Sequence, residues 1–131
     1  MTLENLKNYL KEKTDIGDGI SLGAIDGNKD RFLGVYPAKP PDQQRVCLGG
    51  PEQTLTADLY ATVLIHWGKS MTTALDKAQQ VWQLFYAAGG CTMDGATVYA
   101  VEPGGGPVSV GRDDRGVFEF VINLKITCAK E

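Results

Sequence analysis

Phe118, Phe120, Ile122, Leu124, Ile126 and Cys128 recur at every second position through the run from Gly116 to Cys128. Glu119, Asn123, Lys125 and Thr127 share the other parity with two valines, a period of two that only an extended strand presents as two faces. One face is apolar and the other mostly polar. At about 3.3 Å per residue such a strand is roughly 40 Å long, whereas a domain of this size, with a radius of gyration near ~14 Å, is only about 36 Å across. The strand therefore spans the domain or overhangs it. Each large apolar side chain it buries contributes roughly 1.5–3 kcal/mol, which places this strand at the centre of the sheet that the rest of the chain covers.

The 131 residues fit one domain, 1–131, and 43% apolar residues suffice for a substantial core. A net charge of -3 leaves no basic footprint for a phosphate backbone, so direct nucleic-acid binding is not expected. No run of 18 apolar residues suits a membrane span, and the N-terminus carries an acid and an amphipathic pattern where a signal peptide would be basic and then apolar. Cys47, Cys91 and Cys128 form neither an even set nor a C-x-x-C spacing, and read as reduced thiols of a cytoplasmic chain.

Thr2 can cap a first helix in which Leu3, Leu6 and Leu10 repeat at three and four residues. Ile20–Ile25 and Arg31–Tyr36, separated by the turn-forming Asp26-Gly27-Asn28-Lys29-Asp30, read as a hairpin. The stretch 37–55, rich in Pro, Gly and Gln, reads as a long loop. From Thr56 to Trp67, Leu59, Ala61, Val63, Ile65 and Trp67 share one face of a second central strand. Ser70 is positioned to cap a second helix whose apolar positions Leu75, Ala78, Val81, Trp82 and Phe85 run on to Gly89-Gly90. A short strand at 97–101 follows, then a second long loop, 102–116. This order predicts an α+β fold: a mixed or antiparallel sheet of about four to five strands, covered mainly on one face by two helices.

Candidate chemistry is sparse. His66, the only histidine, would need a partner brought by the fold to act as a base, and is read as a partly exposed polar residue at a strand edge. A nucleophilic pair of Cys47 with His66 is the alternative enzymatic or ligand-binding reading. One histidine with three scattered cysteines has no metal-site spacing. Gly104-Gly105-Gly106 lacks the Lys-Ser/Thr of a phosphate loop and reads as a flexible turn. Asp113-Asp114 between Arg112 and Arg115 reads as a solvated turn with local ion pairs. Catalytic residues, metal and cofactor are therefore all expected to be absent.

The order of pieces from about Thr56 onward resembles that of the phage minor capsid and tail-completion proteins, also called tail terminators. The resemblance rests on Leu64-Ile65-His66-Trp67, the helix from Thr73 to Leu84, the stretch Gly106-Pro107-Val108-Ser109-Val110-Gly111-Arg112-Asp113-Asp114-Arg115-Gly116, and the terminal Val117-Phe118-Glu119-Phe120. It implies a non-enzymatic structural protein that forms a ring, commonly a hexamer, capping the tail tube and joining it to the head-proximal connector. The implied partners are further copies of itself, the tail tube protein and head–tail connector proteins. The implied location is the tail or head–tail junction of a virion assembled in the host cytoplasm. On this reading the 102–116 loop faces a neighbouring subunit or the tube. Arg112, Asp113, Asp114 and Arg115 would set register there, next to Pro107 and Val108, because alternating charge orients partners more readily than it creates a perturbed pKa.

Overall fold

The structure, a computed structural model, describes residues 1–24, 28–39 and 55–130. Two long strands carry it. β3 (Thr56–Trp67) and β7 (Phe118–Ala129) pair antiparallel from Thr56 opposite Ala129 to His66 opposite Glu119. Ala61, Val63 and Ile65 on one strand and Ile122, Leu124 and Ile126 on the other point to the same face and are buried. Both helices pack there. α1 (Leu3–Lys13) contributes Leu6, Tyr9 and Leu10 to the core, and α2 (Met71–Tyr86) contributes Ala74, Ala78, Val81 and Phe85.

The helix ends follow from local hydrogen bonding. The Thr2 hydroxyl accepts from the Asn5 amide while Asn5 Oδ1 accepts from the Thr2 amide, a reciprocal cap that satisfies donors the first turn leaves free. Ser70 Oγ accepts from the amide of Thr73 at the start of α2. Both caps are the residues expected from the sequence.

The sheet is mixed and larger than four to five strands. β1 (Ile20–Leu22), β2 (Arg31–Pro37), β4 (Cys91–Met93), β5 (Ala96–Glu102) and β6 (Val108–Arg112) complete seven strands, in the order β1-β2-β3-β7-β5-β4 with β6 also paired to β7. α1 touches β1 and β2 at one end of this order and β4 at the other, so the sheet curls around the core. Two strands were missed in the sequence. β4 and β5 meet at Asp94-Gly95, both at positive φ, the two-residue turn that matches strand twist. β6 lies inside the segment read as the 102–116 loop. β5 and β6 both run antiparallel to β7 along the same side of it, separated at 103–107 by the segment that carries the glycine triplet. Trp82 Nε1 donates to the Gly104 carbonyl and ties that interruption to α2.

The expected hairpin of the first two strands is corrected: β1 runs parallel to β2, Ile20 opposite Leu33 and Leu22 opposite Val35. Parallel neighbours ordinarily need a crossover of a dozen or more residues. Here β1 is only three residues long, so Leu22 at its end is set only a short way along β2 from Arg31. Of the long loop expected at 37–55, Pro37 ends β2, Ala38 and Lys39 follow it, and Leu55 leads into β3; residues 40–54, Cys47 included, lie outside the described residues.

The face without helices carries a polar ladder. Thr62 Oγ1 meets Asn123 Oδ1 at 2.8 Å, Thr127 Oγ1 donates to Asp58 Oδ1 at 3.0 Å, and Lys125 lies 3.5 Å from Glu102.

Ahead of β1 the chain turns at Gly17, which sits at φ +63 against β2 and β3; a Cβ there would come within 2.6 Å of Arg31 Cβ and 2.9 Å of the Trp67 ring. Gly17→Ala is therefore expected to cost more than ~1 kcal/mol, combining backbone strain with a clash. Gly105→Ala, with nothing within 4 Å of the new methyl, should stay within roughly 0.5 kcal/mol of the parent. Urea unfolding of the two variants checks this, and equal midpoints would refute it.

Candidate functional site

The polar residues singled out in the sequence gather at one end of the β3–β7 pair, on the face opposite the helices. His66 belongs to the outward parity of β3, yet it is 1% exposed, not partly exposed as expected. Three segments close over it. Its Nδ1 lies 3.2 Å from Glu119 Oε2 on β7, its Nε2 is 2.9 Å from the Lys29 carbonyl oxygen, and Asp113 Oδ2 stands 3.6 Å from Nε2. The cause is register: His66 is directly opposite Glu119, and the chain entering β2 passes across the same end of the sheet. A base must reach its substrate's proton within hydrogen-bond distance. Here both ring nitrogens already face oxygen atoms of the protein, and the ring is enclosed.

Asp113 organises the turn between β6 and β7. Its Oδ1 accepts from the amides of Arg115 and Val117, both at 2.9 Å, while its own amide donates to the Val117 carbonyl. Burial alone would raise its pKa; the hydrogen bonds from Val117 and Arg115, with the nearby His66 and Arg115 charges, outweigh burial and hold the carboxyl below its ordinary value. Arg115 is turned back on the fold, its Nη2 2.9 Å from Asp30 Oδ1. The two adjacent acidic residues thus differ in role: Asp113 is turned into the fold, whereas Asp114 is exposed. Arg112 is exposed at the end of β6 with its guanidinium 5.7 Å from the Phe118 ring centre. Pro107 is half-buried and Val108 is exposed.

One charged group escaped sequence reasoning altogether. Lys77 is 5% exposed on α2, where its Nζ donates to Thr14 Oγ1 at 2.8 Å and lies 4.6 Å from the Trp67 ring centre. Burial lowers its pKa, and Asp15 partly restores it. The helical period offered a signal, since Lys77 falls three residues after Ala74 and four before Val81, on the buried stripe.

The arrangement is mechanical. Its polar atoms fasten a turn, a strand end and the entry to β2 to one another, and among the described residues no group of three or more His, Cys, Asp or Glu side chains could hold a metal. A family model described as bacteriophage tail terminator protein matches residues 9–130. The chain belongs to that family. It is a structural protein of the phage tail, acting in virion assembly. A search of the curated proteins gave no match. No described helix of this tail terminator is long and apolar enough to cross a membrane.

Two outcomes follow for the tail terminator's fastened corner. His66→Ala removes a buried ring and leaves the Glu119 carboxylate without its partner, so a loss of roughly 2–4 kcal/mol is expected in chemical denaturation; unchanged stability would show that the corner contributes nothing. Asp113→Ala should cost about 1 kcal/mol near neutrality. Because the folded carboxyl titrates below its unfolded value, the Asp113 contribution is complete above the usual carboxylate range near ~4 and is lost as the pH falls through the lower folded value. The difference in melting temperature between parent and Asp113→Ala should therefore hold constant from pH 7 to about 5 and shrink below about 4; a gap that widens on acidification would reverse this assignment.

Proposed function

We propose that this tail terminator closes into a ring of identical subunits that caps the tail tube and connects it to the head-proximal components of the virion. The observation that carries the reading is the family match over residues 9–130. A closed ring needs two different complementary surfaces on each subunit, a head-to-tail contact that returns on itself. The corner formed by β6 and its turn offers one such surface: Val108, Arg112 and Asp114 are exposed there, beside Pro107, while Asp113 through its backbone bonds and Arg115 through its surface ion pair with Asp30 hold the turn in shape. In this reading Arg112 and Asp114 set the register against the neighbour or the tube, and Asp113 and Arg115 act by keeping that corner rigid. The proposed role is structural and without catalysis, in a virion tail assembled in the host cytoplasm, with the tube protein and a connector protein as partners.

The enzymatic alternative built on His66 and Cys47 is weakened by the enclosure of the imidazole. A working base would have to leave Glu119 and the Lys29 carbonyl before meeting a substrate.

Electron microscopy and light scattering of the purified protein, followed by addition of tail tubes, test the proposal. Rings of uniform size and protein located at tube ends are expected. A chain that stays monomeric at high concentration and is never recruited to tubes would overturn it.

A further inference from the structure

Among the described residues the sheet has an open edge at β1 and another at β6, and they lie on one line. Ser21 of β1 is opposite Gly34, Gly34 opposite Leu64, Leu64 opposite Val121, and Val121 opposite Val108 of β6. The row beside it runs from Ile20 through Leu33, Ile65 and Phe120 to Ser109. β1 and β6 therefore sit at the same height at opposite ends of the same two rows. Among the described residues β1 pairs only with β2 and β6 only with β7.

Strand direction favours joining them. β1 is parallel to β2, β2 antiparallel to β3, β3 antiparallel to β7, and β7 antiparallel to β6, so β1 and β6 point in opposite directions. Placed side by side in two copies related by rotation, they would meet as antiparallel strands, and adjacent antiparallel strands exchange hydrogen bonds perpendicular to their axes.

Protection of these edges is partial: β1 is only three residues long and β6 ends in Arg112. Exposed edge strands normally carry Lys, Pro or inward charge that discourages pairing. β6 has a bulge between Ser109 and Gly111, but neither Lys nor Pro, and every residue of it is exposed, with Val108 at 55% and Val110 at 52%. β1 offers Leu22, 38% exposed, and half-buried Ile20. In these rows Val108 would stand beside Ser21 and Ser109 beside Ile20, so the seam would be held by backbone pairing.

We infer that subunits join edge to edge, β6 of one copy adding to β1 of the next as an antiparallel strand, so that the sheets run on continuously around the assembly. This rests on the ring reading above and names the surface that makes it. The occupant is a second copy because the two edges complement each other in height and direction. Pairing of β6 with β6 would satisfy direction as well, but it makes a two-fold dimer and stops there.

Hydrogen exchange and disulfide trapping on the full chain decide the matter. In rings, amides of residues 20–22 and 108–112 should exchange at least roughly tenfold more slowly than in monomer obtained by dilution, as amides newly paired in a ladder do. Oxidised rings of a Ser21→Cys, Val108→Cys double variant should give covalent ladders beyond dimer under denaturing conditions, while each single variant stays unlinked through these positions. Rings with unprotected β1 and β6 amides would overturn this inference and leave the ring reading standing. Covalent dimers of Val108→Cys alone would overturn it in favour of β6–β6 pairing. Absence of rings altogether would remove the ring reading, and this inference with it.

Discussion

The antiparallel pairing of β3 with β7 is the constraint on which the other elements depend. Thr56 and Ala129 are far apart in the chain, and bringing them together costs closure entropy that no single contact repays. Two twelve-residue strands repay it collectively, because alternate side chains along their length enter one core. The segment between them is then fixed in outline: α2 packs across the pair, and β5 and β6 line the free side of β7. A slip of one residue in this register would turn Val63, Ile65, Ile122 and Ile126 to the opposite face, so the apolar alternation and the pairing enforce each other.

The same register explains why a histidine is buried on the face away from the helices. Opposite Glu119, His66 meets a carboxylate, and the chain leading into β2 brings a backbone carbonyl and Asp30 to the same corner. Gly68 extends the connection, accepting from the Phe118 amide and donating to the Asp30 carbonyl. A buried polar group is tolerated when its hydrogen-bonding atoms are matched. Here that matching links β2, β3 and the β6–β7 turn, beside the buried Phe32 and Val117.

Much of the framework was legible because it rests on periodicity. The two-residue alternation from Phe118 to Cys128 and from Leu59 to Trp67 marked both central strands and their buried faces, and Thr2 and Ser70 marked both helix starts. Elements too short for a period were not legible in that way. β1 and β4 have three residues each, and β6 lies between a glycine triplet and a charged turn that outweighed its Val-x-Val pattern. The Asp94-Gly95 turn was a usable signal for the β4–β5 hairpin. The parallel sense of β1 had no local signal, since strand direction follows from where α1 and the core leave room. The charged cluster at 112–115 was visible as a cluster, but its division into Asp113 and Arg115, which bond back to the fold, and Arg112 and Asp114, which do not share those bonds, depends on contacts with Val117 and Asp30 that only the folded chain brings together.

What the fold leaves unused bears on how such a protein can act. One face of the sheet is filled by helices, the other has cross-strand polar pairs along β3 and β7, and the histidine is engaged on both ring nitrogens. Among the described residues, the backbone of β1 and β6 is paired on one side by β2 and β7 respectively. Backbone groups recognise geometry more than chemistry: they select a partner strand by its direction and height and are indifferent to most of its side chains. A surface of that kind suits repeated contact between copies of one chain, where the same spacing recurs at every joint.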